Sequence, residues 1–167
     1  MELLDYIKST LKNLLKFQVK VVDKLIEKIP SGKIDYRPCD HVGSYSMGEL
    51  ITHMFEMMYA YSKATRQGYL KQEDFKELPP PGSSASIDDI KMYNDAVKKY
   101  FKETVENLTN DQLKQEITFH CWHGLKLNGQ YSMMAIPEEI VHHRGQMTLY
   151  LRLMGVQLPV GFIYAYD

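Results

Sequence analysis

The chain is poor in cysteine, because its 167 residues include only Cys39 and Cys121. Two cysteines so far apart do not indicate a disulfide framework. Long apolar runs are also missing, since no stretch reaches the roughly 18 apolar residues of a membrane-spanning helix. The first residues are charged and periodic, and they lack the apolar segment of a signal peptide. We therefore expect a cytoplasmic protein without a membrane segment.

An excess of charge of one sign is absent as well. Twenty Lys and Arg residues face 21 Asp and Glu residues, which gives a formal net charge of −1. This balance lacks the basic footprint of a nucleic-acid-binding domain. The sequence also contains no glycine-rich phosphate loop and no nucleophile elbow. These absences argue against nucleic-acid recognition, phosphoryl transfer and hydrolysis by a serine triad.

Four segments have the apolar spacing or the capping residues of long helices. They lie at about residues 3–29, 46–66, 86–108 and 132–155. Gln18 is the single polar interruption on the apolar face of the first segment, and Ser46 with Glu49 predicts a capping box at the second. Pro137 is expected in the first turns of the last helix.

A short hairpin is predicted between the third and fourth helices. Residues 116–127 are rich in β-branched and aromatic types, and Asn128-Gly129 is typical of a type I′ turn. The aromatic tail, residues 159–167, is expected to cover the end of the bundle or to form a subunit contact. The whole pattern predicts an all-α fold, a four-helix bundle with a β-hairpin insertion, as one domain over residues 1–167.

The last predicted helix contains a candidate metal-binding pair. Glu139 and His143 are four residues apart, which places them on one helical face with Cβ atoms about 5–6 Å apart. His53 is the single histidine of the second helix and lies beside its apolar stripe. His53, Glu139 and His143 would form a set of two histidines and one carboxylate with open positions for water or substrate. The alternative is a hydrogen-bonded core His53 and a solvated Glu139.

Two further arrangements of the same residue types are open. Glu139 and His142 have the i, i+3 spacing of di-iron bundles, although the second helix offers only a reversed pair, His53 and Glu56. Thiolates and imidazoles that suit zinc also occur outside the helices, at Cys39, His41, His120, Cys121 and His123. The favoured alternative is that these are polar loop and hairpin side chains that flank a packed Trp122, and a nucleophilic Cys121 is a further alternative.

The run HHRGQMTLYLRLMGVQLP, residues 142–159, resembles the signature of the DinB/YfiT-like superfamily. Tyr36-Arg37-Pro38 and the run from Ser46 to His53 resemble the same superfamily, and the resemblance extends over about residues 1–160. It implies a four-helix bundle of up-down-down-up type, a homodimer, and a divalent metal ion between the helices. Members of the family typically use one histidine from the second helix and a His-x-x-x-His pair from the last.

Carried onto this chain, the family pattern assigns His53 and His143 as metal ligands and places Glu139 where the earlier histidine of the pair stands. Glutamate is a competent ligand, so the site could hold Zn, Ni or Fe with an altered preference, or it could have degraded. The resemblance further implies that His142 points away from the ion. Arg144 and Gln146 would orient the helix or the ligands.

Two functions follow from the resemblance. The first is a metal-dependent enzyme, a thiol-dependent transferase or isomerase, that takes a low-molecular-weight thiol or another small-molecule substrate in a cavity lined by Met and Tyr. The second is a non-catalytic, dimeric helical binding or stress-response protein with a vestigial or structural metal site.

Overall fold

The computed structural model describes residues 2–41 and 43–159. The helices are α1 (Leu3–Asn13), α2 (Lys20–Ile26), α3 (Met47–Gln67), α4 (Ile87–Asn107), α5 (Asn110–Lys114) and α6 (Gly129–Leu153). A π-helical stretch, Leu14–Val19, joins α1 to α2, so that the chain forms one long N-terminal helix. The four long helices are those predicted, and their apolar faces meet in a shared core.

The side chains before three of the helices explain where these helices begin. Ser46 accepts a hydrogen bond from the backbone N–H of Glu49, whose carboxylate accepts one from the N–H of Ser46 at 2.8 Å. Equivalent capping boxes start α4 at Ser86 and α5 at Thr109. Each box satisfies two backbone donors that a helix would otherwise leave unpaired, which confirms the predicted start of α3.

Helices α3 and α4 run parallel. Gly48, near the start of α3, lies against Ile90 near the start of α4, and the rings of Tyr59 and Tyr100 meet farther along at 5.0 Å. Two parallel neighbours need a long return connection, and residues 68–86 supply it.

The other two long helices run antiparallel to this pair. Along α6 and α3, Ser132 contacts Thr65 while His143 contacts His53. The N-terminal helix is antiparallel to α4, since Lys8 bonds the carbonyl of Glu106 and Asp23 pairs with Lys98. The bundle is therefore of the up-down-down-up type.

A small sheet closes one end of the bundle. Strands β1 (Tyr69–Leu70), β2 (Glu116–Phe119) and β3 (Leu125–Asn128) follow one another in that spatial order. β1 is parallel to β2, and β2 and β3 form the predicted antiparallel hairpin, with Glu116 opposite Asn128. The two-residue strand β1 was not predicted from the sequence.

The hairpin turn and the start of α6 differ from the prediction. The chain reverses at residues 120–124, where His123 and Gly124 have positive φ, and not at Asn128-Gly129. Asn128 is instead the N-cap of α6, because its Oδ1 accepts the N–H of Tyr131 at 2.7 Å. The predicted start at residue 132 is therefore wrong, and Pro137 lies inside the helix.

The core is dominated by aliphatic, aromatic and methionine side chains. Met47, Met54, Met58, Met133 and Met147 are fully buried. Among the described residues, no helix combines the length and apolar character needed to cross a membrane. The aromatic tail lies mostly outside the described residues, and its predicted docking stays a prediction.

Candidate metal centre

Three side chains from two helices converge between α3 and α6. The nitrogen and oxygen donor atoms of His53, Glu139 and His143 all lie within 4.8 Å of one another. In the described part of the chain, this is the one group of three His, Cys, Asp or Glu residues placed closely enough to hold a metal ion. The structure thus brings together the three residues that the sequence selected.

The helical repeat and the helix packing explain the convergence. Glu139 and His143 are one turn apart on α6, and Glu139 Oε2 lies 3.2 Å from His143 Nε2. The antiparallel packing of α3 sets the ring of His53 against that of His143, with centroids 4.9 Å apart at 84°. His143 is 6% exposed, so the group lies at the edge of the core.

A neighbouring amide fixes the tautomer of His143. His143 Nδ1 lies 2.8 Å from Gln146 Oε1, while Gln146 Nε2 lies 3.2 Å from His142 Nε2. Because an amide oxygen can only accept, His143 must donate its Nδ1 hydrogen to it. Nε2 then faces Glu139 and His53, where it donates to Glu139 or, once deprotonated, can bind an ion, and this is the arrangement that metal-binding histidines commonly show.

The charges of the group are coupled. The hydrogen bond from His143 lowers the pKa of Glu139, and this effect exceeds the opposing effect of burial. Burial alone would lower the pKa of His143, but hydrogen bonds to Glu139 and Gln146 raise it above its ordinary value. Burial and the nearby His143 lower the pKa of His53, which favours a neutral imidazole. Without an ion, the group is held together by a Glu139–His143 ion pair.

The donor set fits a divalent transition metal. Ligand atoms about 2.0–2.2 Å from a tetrahedral zinc ion lie about 3.4 Å apart. The Glu139–His143 separation of 3.2 Å already matches this spacing. The donor atoms of the whole group lie within 4.8 Å of one another. To bind one ion, the more distant atoms must move closer by about an ångström, which small side-chain rotations provide.

Tyr45 covers one side of the site. Its ring stacks on His53 with centroids 5.0 Å apart, and the hydroxyl of Tyr150 donates to its carbonyl at 3.1 Å. Arg37 binds the carbonyl of Ser44 and forms an ion pair with Glu49 at 2.7 Å. The segment before α3 is therefore fastened to both α3 and α6.

A pocket of about 410 Å³ opens beside His53. Its walls are residues 43–45 and 80–82 together with the side chains of Arg37, Glu49, Thr52, His53 and Glu56. Tyr45 supplies one tyrosine, a residue type that was expected in the lining, but none of these wall residues is a methionine. The expected methionine lining is wrong, because the apolar helix faces that carry the methionines point into the core.

The other candidate ligands do not join this group. Cys39, His41, His120, Cys121 and His123 form no group of three donors among the described residues. The hairpin alternative agrees with the packing, since the rings of Trp122 and Phe119 stack at 4.8 Å. Burial raises the pKa of the Cys121 thiol, which disfavours a nucleophilic thiolate.

The di-iron arrangement is not formed either. His142 is exposed; its ring lies edge-on to that of His143 with centroids 4.8 Å apart, and its Nε2 lies against Gln146. Neither His142 nor Glu56 is among the converging donor atoms. The prediction that Gln146 orients a ligand agrees with its contact to His143. Arg144 instead reaches the N-terminal helix, where it donates to Gln18 in the π-helical stretch.

Some residues of the site were missed from the sequence. Tyr45, Tyr150 and the pocket wall formed by Glu56 were not predicted as parts of it. The contact between Gln18 and Arg144 could have been anticipated from the sequence. A lone polar residue on an apolar helix face needs a buried hydrogen-bond partner.

Comparisons with known proteins agree with the resemblance seen in the sequence. The model of the DinB family matches residues 7–164. The uncharacterized protein YjoA of Bacillus subtilis (strain 168) is 28% identical over 143 residues, covering 83% of this chain and 86% of the relative.

Solved structures support the same fold. A DinB-like protein, YjoA of Bacillus subtilis, has a TM-score of 0.68 at 23% identity and covers 89% of this chain and 94% of its own. A DinB-like protein from Bacillus cereus ATCC 10987 has a TM-score of 0.66 at 18% identity, with 89% and 93% covered. A candidate DinB-family member from Exiguobacterium sibiricum 255-15 has a TM-score of 0.72 at 16% identity, with 93% and 97% covered.

Proposed function

The chain belongs to the DinB family, and on that premise we propose that it is a divalent-metal-dependent enzyme whose ion is held by His53, Glu139 and His143. The observation that carries this proposal is the convergence of the three donor groups beside an open pocket. The hydrogen bond from His143 to Gln146 supports it, because it aims the second ring nitrogen at the other two ligands.

Three protein ligands leave coordination positions for a substrate. A bound ion would lower the pKa of a thiol or water, or polarise a carbonyl group. His53 borders the pocket, so a small molecule in the pocket can reach the ion. This arrangement supports a thiol-dependent transferase or isomerase that uses a low-molecular-weight thiol. Two imidazoles and one carboxylate suit Zn, Ni or Fe.

Metal analysis of purified protein tests the site. Metal-free protein is loaded with Zn²⁺, Ni²⁺ or Fe²⁺, freed of excess ion, and its metal content is measured by mass spectrometry. We expect about one ion per chain in the wild type, because one donor set of this kind is present in the described residues. We expect less than a tenth of that in His53→Ala and His143→Ala.

His120→Ala is the matched control, since it removes an exposed histidine that is not part of the converging donor group. It should keep the full metal content. Unchanged metal content in both His53→Ala and His143→Ala would overturn the proposed site.

Activity is tested separately from metal content. The loaded protein is incubated with a low-molecular-weight thiol and an electrophile, and conjugate formation is compared with that of the His143→Ala protein. Metal-dependent conjugation is expected. A fully loaded protein that turns over none of a panel of thiols would contradict the catalytic proposal while leaving the metal site in place.

The second candidate is a non-catalytic helical binding or stress-response protein with a vestigial or structural site. One observation favours it, namely that the Glu139–His143 ion pair at 3.2 Å satisfies both side chains without a metal ion. A wild-type protein that binds no metal and still forms a folded dimer would support this candidate instead.

A further inference from the structure

The pocket beside His53 contains one unbalanced charge. Arg37 is the pocket's cation, and its ion pair with Glu49 at 2.7 Å cancels the charge of both. His53 binds an ion through a neutral imidazole, so it adds no charge of its own to the pocket. Among the described pocket residues, only the carboxyl group of Glu56 is left without an opposite charge.

Glu56 is held in a position that is unfavourable for a carboxylate. It is half-buried, and burial is the one cause that raises its pKa; no cation or hydrogen-bond donor among the described residues offsets this effect. The phenolic Tyr93 and the thiol of Cys121 are the groups nearby whose own pKa values its charge raises. A buried carboxylate needs a partner, and none of these neighbours is a cation.

Glu56 is also close to the metal site. It lies three residues after His53 on α3, so the two side chains share one helical face with Cβ atoms about 5–6 Å apart. Both line the same pocket. A molecule that reaches the ion at His53 therefore passes within reach of Glu56.

We propose that the substrate of this pocket carries a protonated amine that pairs with Glu56 while its thiol binds the ion held by His53, Glu139 and His143. This inference rests on the proposed function for the role of the thiol. The amine supplies the cation that Glu56 lacks, and its hydrogen bonds are charge-assisted.

The charges of the complex balance. The two positive charges of a divalent ion are matched by the Glu139 carboxylate and the bound thiolate, with both histidines neutral. The ion therefore does not repel the amine, and Glu56 with the amine forms a second neutral pair. A thiol that carries a carboxylate would instead meet Glu56 with a like charge.

A cobalt-loaded protein tests the proposal without a catalytic assay. Thiolate binding to Co²⁺ produces a charge-transfer absorption band, and its growth gives the Kd. The probes are 2-aminoethanethiol, 2-mercaptoethanol and 3-mercaptopropionate, which differ in the charge at the end opposite the thiol. We expect the aminothiol to bind at least tenfold more tightly than 2-mercaptoethanol, and 3-mercaptopropionate to bind most weakly.

The Glu56→Gln variant isolates the contribution of the carboxylate. It should bind 2-mercaptoethanol as the wild type does, while its preference for the aminothiol falls to less than a third of the wild-type value. Comparing the preference between proteins cancels the different acidities of the two thiols. Glu138→Gln, at an exposed residue, is the control and should keep the preference. An unchanged preference in Glu56→Gln would overturn the proposal.

A second measurement separates this inference from the thiol chemistry. Propylammonium is titrated into metal-free protein and followed through the backbone amide signals of α3, with 1-propanol as the uncharged control. Shifts at Thr52 and Glu56 in the wild type but not in Glu56→Gln are expected. If these shifts occur but no thiol produces a charge-transfer band with the cobalt-loaded protein, the amine site is supported and the thiol-dependent function is contradicted. If propylammonium causes no shift, the amine site itself is contradicted.

Discussion

Glu139 sets the charge of the proposed metal site. A histidine at this position would be a neutral ligand, whereas the carboxylate brings a negative charge and pairs with His143 at 3.2 Å. That pair favours a protonated His143 in the metal-free protein, because the hydrogen bond to Glu139 helps raise the pKa of the imidazole. A metal ion must displace this proton before it can bind.

Metal affinity should therefore depend on pH near neutrality. The pKa of His143 is raised above its ordinary value of 6.5, so its proton competes with the ion as pH falls through a value above 6.5. The pKa of His53 is lowered below 6.5, so His53 adds competition only at lower pH. We expect apparent affinity to fall by about tenfold per pH unit in the acid range, for one displaced proton.

A titration against a chromophoric chelator from pH 6 to pH 8.5 measures this dependence. Parallel titrations of the chelator alone correct for its own protonation. An affinity that does not change over this range would contradict the assignment of His143 as a ligand that is protonated in the metal-free protein.

At the scale of a single element, α6 carries two ligands and two glycines in different surroundings. A Cβ built on Gly129 would lie 1.8 Å from the carbonyl oxygen of Gln112 and 3.2 Å from the Cα of Leu113. A Cβ on Gly145 would meet nothing within 4 Å. The first glycine lets the start of α6 approach α5, and the second has no such requirement.

Substituting alanine at the two positions should change stability in opposite directions. Gly129→Ala forces backbone atoms apart and should lower the free energy of unfolding by about 2 kcal/mol or more. Gly145→Ala should raise it by about 0.5–1 kcal/mol, because alanine is the better helix former in an open helix interior.

Urea unfolding followed by circular dichroism measures both changes, and each variant is the control for the other. Equal effects of the same sign would contradict the close contact between Gly129 and α5.

The elements that the sequence predicts well are those set by local chemistry. Ser46 and Glu49 predict the start of α3, because the two residues of the capping box are only three positions apart in the sequence. Asn128-Gly129 was misassigned because the pair suits a turn and a helix N-cap equally. In the fold, Gly129 lies against the backbone of Gln112, a tertiary neighbour that no local pattern contains.

In the candidate site, too, the features set by local spacing could be predicted and those set by tertiary packing could not. Glu139 and His143 could be paired from their spacing alone. His53 was selected as the single histidine of the second helix, beside its apolar stripe, and the family resemblance then assigned the same residue. The pocket could not be foreseen, because its walls come from separate connections before α3 and before α4. The stacking of Tyr45 on His53 likewise depends on how a loop without periodicity folds back.

At the scale of the whole molecule, the topology explains where the pocket lies. Because α3 and α4 are parallel, the connection after α3 must return to the end of the bundle at which both helices begin. The connection before α3 reaches the same end. Residues 43–45 and 80–82, from these two connections, therefore face each other across the pocket beside His53.

The dimer implied by the family resemblance remains a prediction, and the surface of α6 suggests where it forms. Val141, Leu149 and Leu153 are exposed apolar residues of α6. We expect the wild type to elute as a dimer in size-exclusion chromatography with light scattering, and Leu149→Glu to elute as a monomer, because a buried charge opposes association.

Met92→Glu is the matched control, since Met92 is an exposed apolar residue on a different helix, α4. It should remain dimeric. A Leu149→Glu protein that stays dimeric would exclude this surface of α6, and a monomeric wild type would reject the dimer altogether.

The proposed function requires that His53, Glu139 and His143 together hold a metal ion. A crystal of the metal-loaded protein, with diffraction data collected on both sides of the metal absorption edge, tests it most directly. We expect one anomalous peak per chain within about 2.0–2.3 Å of donor atoms from all three side chains. An ordered, metal-free His143–Glu139 ion pair in such a crystal, or a peak held by other residues, would contradict it.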